Sequence, residues 1–97
     1  MNIIIRNAIG SKKVIEFYYD GGARIAEPFC YGINRKNNEV LCAYQIGGYS
    51  SSGNPEGWKL FKVSEISSLK VTDIVFDGDR KEYNPNDKRM TEIFCNV

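Results

Sequence analysis

Pro28 stands in the middle of a run, Ala23 to Asn34, that otherwise reads as one long strand. A proline cannot donate to a sheet ladder, so it marks an edge, a bulge or a bend. A long strand bent at its middle is what a small barrel uses to turn a corner. The run is bounded by turn signals on both sides. Asp20-Gly21-Gly22 is a hairpin turn of the kind that tolerates positive φ, and Arg35-Lys36-Asn37-Asn38 forms a second turn.

The flanking segments fit the same architecture. Asn2 can cap a helix over residues 2–10, whose apolar positions Ile4, Ile5, Ala8 and Ile9 recur at helical spacing and which Gly10 would end. Val14 to Tyr19 is β-branched and aromatic, which reads as a strand. Glu39 to Ile46 and Trp58 to Val63 are two further strands around a polar Gly/Ser loop, Gly47 to Gly57. After the tight turn Ser64-Glu65-Ile66, Ser67 to Phe76 alternates as a fifth strand. Five short strands with hairpin signals predict a mainly β domain: a small five-stranded antiparallel barrel over residues 14–76, with the helix covering one opening. Residues 77–97 are a charged, turn-rich tail whose end, Met90 to Val97, regains apolar character and is expected to return to the sheet edge.

Ninety-seven residues make one domain. Apolar content of 42% and charged content of 26% are ordinary for a globular chain, and the longest apolar run, Ile3-Ile4-Ile5, is too short for a membrane span or signal segment. A cytoplasmic protein is the expectation. Net charge is +1, so any nucleic-acid binding has to come from a local patch. Histidine is absent, which excludes Ser-His-Asp and Cys-His nucleophile activation and histidine metal sites. Cys30, Cys42 and Cys95 lack metal-ligand spacing and read as reduced thiols in strands. No catalytic residue, cofactor or metal is expected.

The strands around the Gly/Ser loop carry polar residues where a plain core strand would not. Lys59 and Phe61 share one face with Val63, while Trp58, Leu60 and Lys62 share the other. Either face can be the core. Both place a cation beside an aromatic ring, which suits stacking on a base and neutralising a phosphate; the plain alternative is a lysine stem covering a barrel end. Tyr44 and Gln45 precede Gly47-Gly48, where the backbone can approach a ligand closely, and Ser50, Ser51 and Ser52 add three hydroxyls. A flexible polar hairpin loop is the rival explanation of that segment. Tyr83 is the apolar anchor by which the tail would fold over the barrel.

The order of helix, Ile15-Glu16-Phe17-Tyr18-Tyr19, Glu27-Pro28, Val40-Leu41-Cys42-Ala43-Tyr44, Trp58-Lys59-Leu60-Phe61-Lys62-Val63 and Ile66 resembles the WYL domain family over about residues 4 to 76. Glu39-Val40-Leu41 stands at the Trp-Tyr-Leu strand that names the family, with Leu41 retained. Lys59 and Phe61 stand at an Arg-x-Phe pair, and Glu65 where many members carry arginine. The resemblance implies an SH3-like (Sm-like) barrel of a small stand-alone branch from bacteria and phages, a sensor-like module with no output domain. It also places Arg24 near the family's arginine before the proline, as an anion anchor; the alternative for Arg24 is a surface salt bridge with Glu27 or Asp20.

These readings lead to a non-catalytic module for a nucleotide or phosphorylated small molecule, with Arg24, Lys59 and the Gly/Ser loop on phosphate and Tyr44, Trp58 or Phe61 on a base. In a phage setting such a module would sequester a nucleotide immune signal as an anti-defence protein. Two rivals stand beside it. One is a single-stranded nucleic-acid binder. The other is a homo-oligomeric protein-interaction subunit.

Overall fold

The computed structural model describes residues 2–97. It is mainly β, with one short helix ahead of six antiparallel strands. Helix α1 (Ile3–Ser11) starts where Asn2 accepts hydrogen bonds from the amides of Ile4 and Ile5 at 3.0 and 3.1 Å. It does not stop at Gly10. The helix runs through it, and Lys12 takes the left-handed position (φ 51°) with its N–H on Ile9 O. The stop is set by tertiary pairing: Lys12 O accepts from Phe76 N, and the next residue opens a strand.

Strands β1 (Lys13–Tyr19) and β2 (Gly22–Asn34) form a hairpin whose turn residues Asp20 and Gly21 both have positive φ. Strands β3 (Glu39–Gly48) and β4 (Gly57–Lys62) follow. A 3-10 turn, Val63–Glu65, leads into β5 (Ser67–Val75), and β6 (Met90–Asn96) is the sixth strand. The sheet order is β4-β3-β2-β1-β5, with β6 on β2. Among the described residues β4 and β5 share no ladder, so hydrogen bonding leaves the sheet open. The expected closure into a barrel is not made by backbone pairing. Lys62 N–H instead donates to the hydroxyl of Tyr19, at 3.0 Å. No helix is long and apolar enough to cross a membrane among the described residues.

Strand β2 organises the fold. One side pairs with β3 along nearly its whole length; the other pairs first with β1, as far as Ala26, and then with β6, from Cys30. Pro28 lies in the changeover, and the β2–β3 register shifts between Pro28 and Cys30. The bulge inverts the alternation of side chains. Ala26 and Tyr31 therefore both enter the inner core, with Ile5, Ile9, Phe17, Leu41 and Phe61, while Phe29 and Cys30 face the opposite way. Cys30 thus does not share the face of Arg24 and Ala26.

The outer face of β2–β4 is buried too, under residues 76–93. Tyr83 stacks on Trp58 with centroids 5.9 Å apart, lies 4.9 Å from Phe29 and donates its hydroxyl to Val97 O. Trp58 Nε1 donates to Lys81 O at 3.1 Å. Arg80 grips Glu27 through two contacts, of 2.8 and 3.1 Å, and lies 3.9 Å from the centroid of the Tyr44 ring. Cys30 and Cys42 are buried cross-strand neighbours with free thiols.

Strand β6 rests against β2 at Gly32, where a Cβ would stand 2.0 Å from Glu92 O. Gly32→Ala should therefore pry β6 away, costing about 2 kcal/mol or more. The urea midpoint reads the loss. Hydrogen exchange should show faster amides in β6, while β3 and β4 keep their protection.

Candidate anion site

At the hairpin end of the inner core, β1, β2 and β3 bring together most of the polar residues singled out above. Arg24 pairs across to Phe17 and to Gly48, so its side chain points inward over the last core layer. Gly48 (φ 93°) is needed there, since a Cβ would meet Ala23 O at 2.3 Å. Its close approach lets Tyr49 N–H donate to the same carbonyl at 2.8 Å and lays the Tyr49 ring over Gly22.

The guanidinium is buried, with Arg24 only 4% exposed. Nε and Nη2 donate to Tyr19 O at 3.2 and 3.0 Å, and Nη1 donates to Gln45 Oε1 at 3.2 Å. The rings of Tyr19, Tyr49 and Phe61 surround it at 5.6, 5.4 and 5.7 Å. Gln45 is fully buried, and its Nε2 donates to Gly47 O and Tyr49 O at 3.0 and 2.8 Å, which fixes its oxygen toward the arginine. Lys59 continues the end of the site: its Nζ donates to Ser50 Oγ at 3.2 Å and Asn54 O at 2.8 Å, and Ser50 lies 2.9 Å from Ser52.

Every acceptor of Arg24 is neutral. No carboxylate pairs with Arg24 or Lys59 among the described residues. The expected alternative for Arg24 does not occur, because Glu27 is taken by Arg80 and Arg24 is buried. A buried cation held by carbonyl dipoles and ring faces is one charge short of neutrality. In this arrangement the Tyr49 ring, 47% exposed, lies against it at 5.4 Å.

The expected site residues thus divide. Arg24, Gln45, Gly47, Gly48, Ser50, Lys59 and Phe61 meet at one end, with Ser52 joined through Ser50; Ser51 is exposed on the loop. Tyr44 and Trp58 do not join them. They lie on the opposite face, in edge contact with each other at 5.4 Å and under Arg80 and Tyr83. Beside Phe61, two further rings, Tyr19 and Tyr49, complete the aromatic surround of Arg24 and were not among the expected residues. Their signals were present: Tyr19 is two residues from Phe17 in a strand, and Tyr49 follows the glycine pair directly.

Burial pushes the Cys30 thiol up to about 12 and raises Cys42 and Cys95, so all three are poor thiolates. Burial, then the hydrogen bond to Glu39, takes Tyr31 to about 12, and burial does the same for Tyr83. No group of three or more His, Cys, Asp or Glu is placed to hold a metal among the described residues.

Arg24→Lys would keep the charge and lose the fork onto Tyr19 O and Gln45, so a loss of about 1–3 kcal/mol is expected in urea unfolding. A second expectation concerns alkaline pH. Cys30, Tyr31 and Tyr83 hold their protons in the fold above their ordinary values of 9.0, 10.0 and 10.0. The unfolded chain sheds these protons first, so stability is intact below about pH 9 and falls as pH rises toward about 12. Urea midpoints across that range should decline, and a flat profile would contradict the burial of these groups.

Compared with known proteins, the chain matches no family model, no curated sequence and no solved structure.

Proposed function

We propose that the chain is a non-catalytic binding module for a nucleotide or another phosphorylated small molecule, held at the Arg24 end of the inner core. The observation that carries this reading is the buried Arg24 guanidinium without a carboxylate partner, with Lys59 beside the same loop. A phosphate entering there replaces neutral acceptors with an anionic one, and charge-assisted bonds to a fork of N–H donors are the stronger kind. Tyr49, half in solvent, is the ring best placed to meet a base. Tyr44 and Trp58 keep a supporting role beneath the tail.

The function proposed here keeps the WYL resemblance as its frame. A helix followed by strands ordered β4-β3-β2-β1-β5 is an arrangement that becomes a small SH3-like barrel once β4 and β5 approach. On that resemblance the ligand is a nucleotide signal that the module holds without turning it over, which in phage–host conflict amounts to sequestration.

The test is melting temperature against a panel of mono-, di- and cyclic nucleotides. A tight ligand present at about a hundredfold its Kd stabilises the fold by about 2.7 kcal/mol, so one nucleotide should stand out by several degrees. Lys59→Gln should weaken that ligand about tenfold. A panel without any shift, or a shift that Lys59→Gln and Arg24→Gln both leave unchanged, would refute the proposal.

A further inference from the structure

At the far end of the sheet the chain builds a second concavity that shares no lining residue with the Arg24 site. It has a volume of about 530 Å³. The β2–β3 turn contributes Arg35 and Lys36, β4 contributes Leu60 and Lys62, and the approach to β6 contributes Lys88 and Arg89. Five of these six side chains are cationic, and among the described residues no carboxylate lines the groove. The whole chain carries a net charge of only +1. The excess is therefore gathered at one place.

Each wall is held in position by its own hydrogen bonds. In the turn, Asn34 Oδ1 accepts from the amides of Lys36 and Asn38 at 3.1 and 2.9 Å, and Asn34 N–H donates to Asn38 O at 2.9 Å. On the opposite wall the Asp87 carboxylate takes the Arg89 guanidinium at 2.6 to 3.2 Å and the Arg89 amide at 3.0 Å. Those bonds hold Asp87 below the usual carboxylate range, so the clamp is ionised at neutral pH. Pairing of Asn34 with Met90 and of Val40 with Lys62 brings the three segments together. Leu60, packed on the outer core, forms the apolar floor.

Two of the five cations have acidic partners: Arg89 pairs with Asp87, and Lys62 lies 3.9 Å from Glu65, both exposed. Arg35, Lys36 and Lys88 have none among the described residues. Arg35 makes a long contact, 3.5 Å, to Lys88 O. Like charges facing one another across a concave wall repel, and an anion between them relieves the repulsion.

We propose that this groove is a second binding site, for a small molecule carrying two or more phosphates with an apolar or planar body resting on Leu60. The volume falls within the roughly 300–1,000 Å³ range of small-molecule sites. A strand of nucleic acid asks for cations spread along a track, and here they ring a single concavity. The assignment is independent of the first site and stands if that one fails.

The test titrates the full chain with inorganic tripolyphosphate and with ADP by calorimetry at physiological salt, alongside a short oligothymidylate. Both small probes should bind the native protein. The double variant Lys36→Gln/Lys88→Gln removes two exposed side chains, so its melting temperature should be unchanged while tripolyphosphate affinity drops at least about tenfold. Amide shift mapping should centre on Arg35, Lys36, Leu60 and Arg89, and Lys59→Gln should leave tripolyphosphate affinity as it was. The proposal falls if neither small probe binds, if the double variant binds like the native chain, or if only the oligonucleotide binds. It falls equally if the mapped shifts centre on Gln45 and Tyr49, a result that would favour the Arg24 site alone.

Discussion

The ladder on both sides of β2 is the interaction on which the rest of this structure depends. One strand serves three partners, and it does so because Pro28 withholds a donor at the point where β1 hands over to β6. The bulge beside it turns the strand's side chains over, so a single thirteen-residue strand feeds two cores. Without that inversion Cys30 would face the helix and Tyr31 would face the tail. With it, Tyr31 spans the inner core, its hydroxyl receiving Asn2 N–H at 2.6 Å and donating to Glu39.

The opposite end of the inner core is closed by charge. Burying a guanidinium is costly unless its donors and its charge are both answered. Carbonyl and amide oxygens answer the donors of Arg24, and three ring faces, each contributing about 0.5 to 2 kcal/mol, offset part of the desolvation. Ring faces attract a cation more weakly than a carboxylate does. The residue is therefore stable where it lies and still electrostatically unsatisfied, and this separates it from Arg80 and Arg89, each of which has a carboxylate partner.

Much of the fold could be read from the chain because its punctuation is local. The hairpin at Asp20-Gly21, the bend at Pro28 and the return of Met90 to Asn96 as a strand all follow from residues next to one another. The end of α1 could not be read that way, because Phe76, far along the chain, sets it. Period-two alternation correctly grouped Lys59 with Phe61 and Trp58 with Leu60. It could not say that both faces would be covered, with Tyr83 against Trp58 and Arg80 against Tyr44. The basic groove was invisible in the sequence for a related reason. Its cations come from three segments that only the pairings of Asn34 with Met90 and of Val40 with Lys62 bring together.

The dependence of β2 on β6 also has a temporal side. Residues 30 to 34 obtain their second partner only when residues 90 to 96 have left the ribosome, so a nascent chain holds half of its central strand with a bare edge. Until then the sulfur-lined patch of Cys30 and Cys42, and the indole of Trp58, lie open as well. The interval before residues 90 to 96 arrive is the period in which a chaperone would find the most to hold.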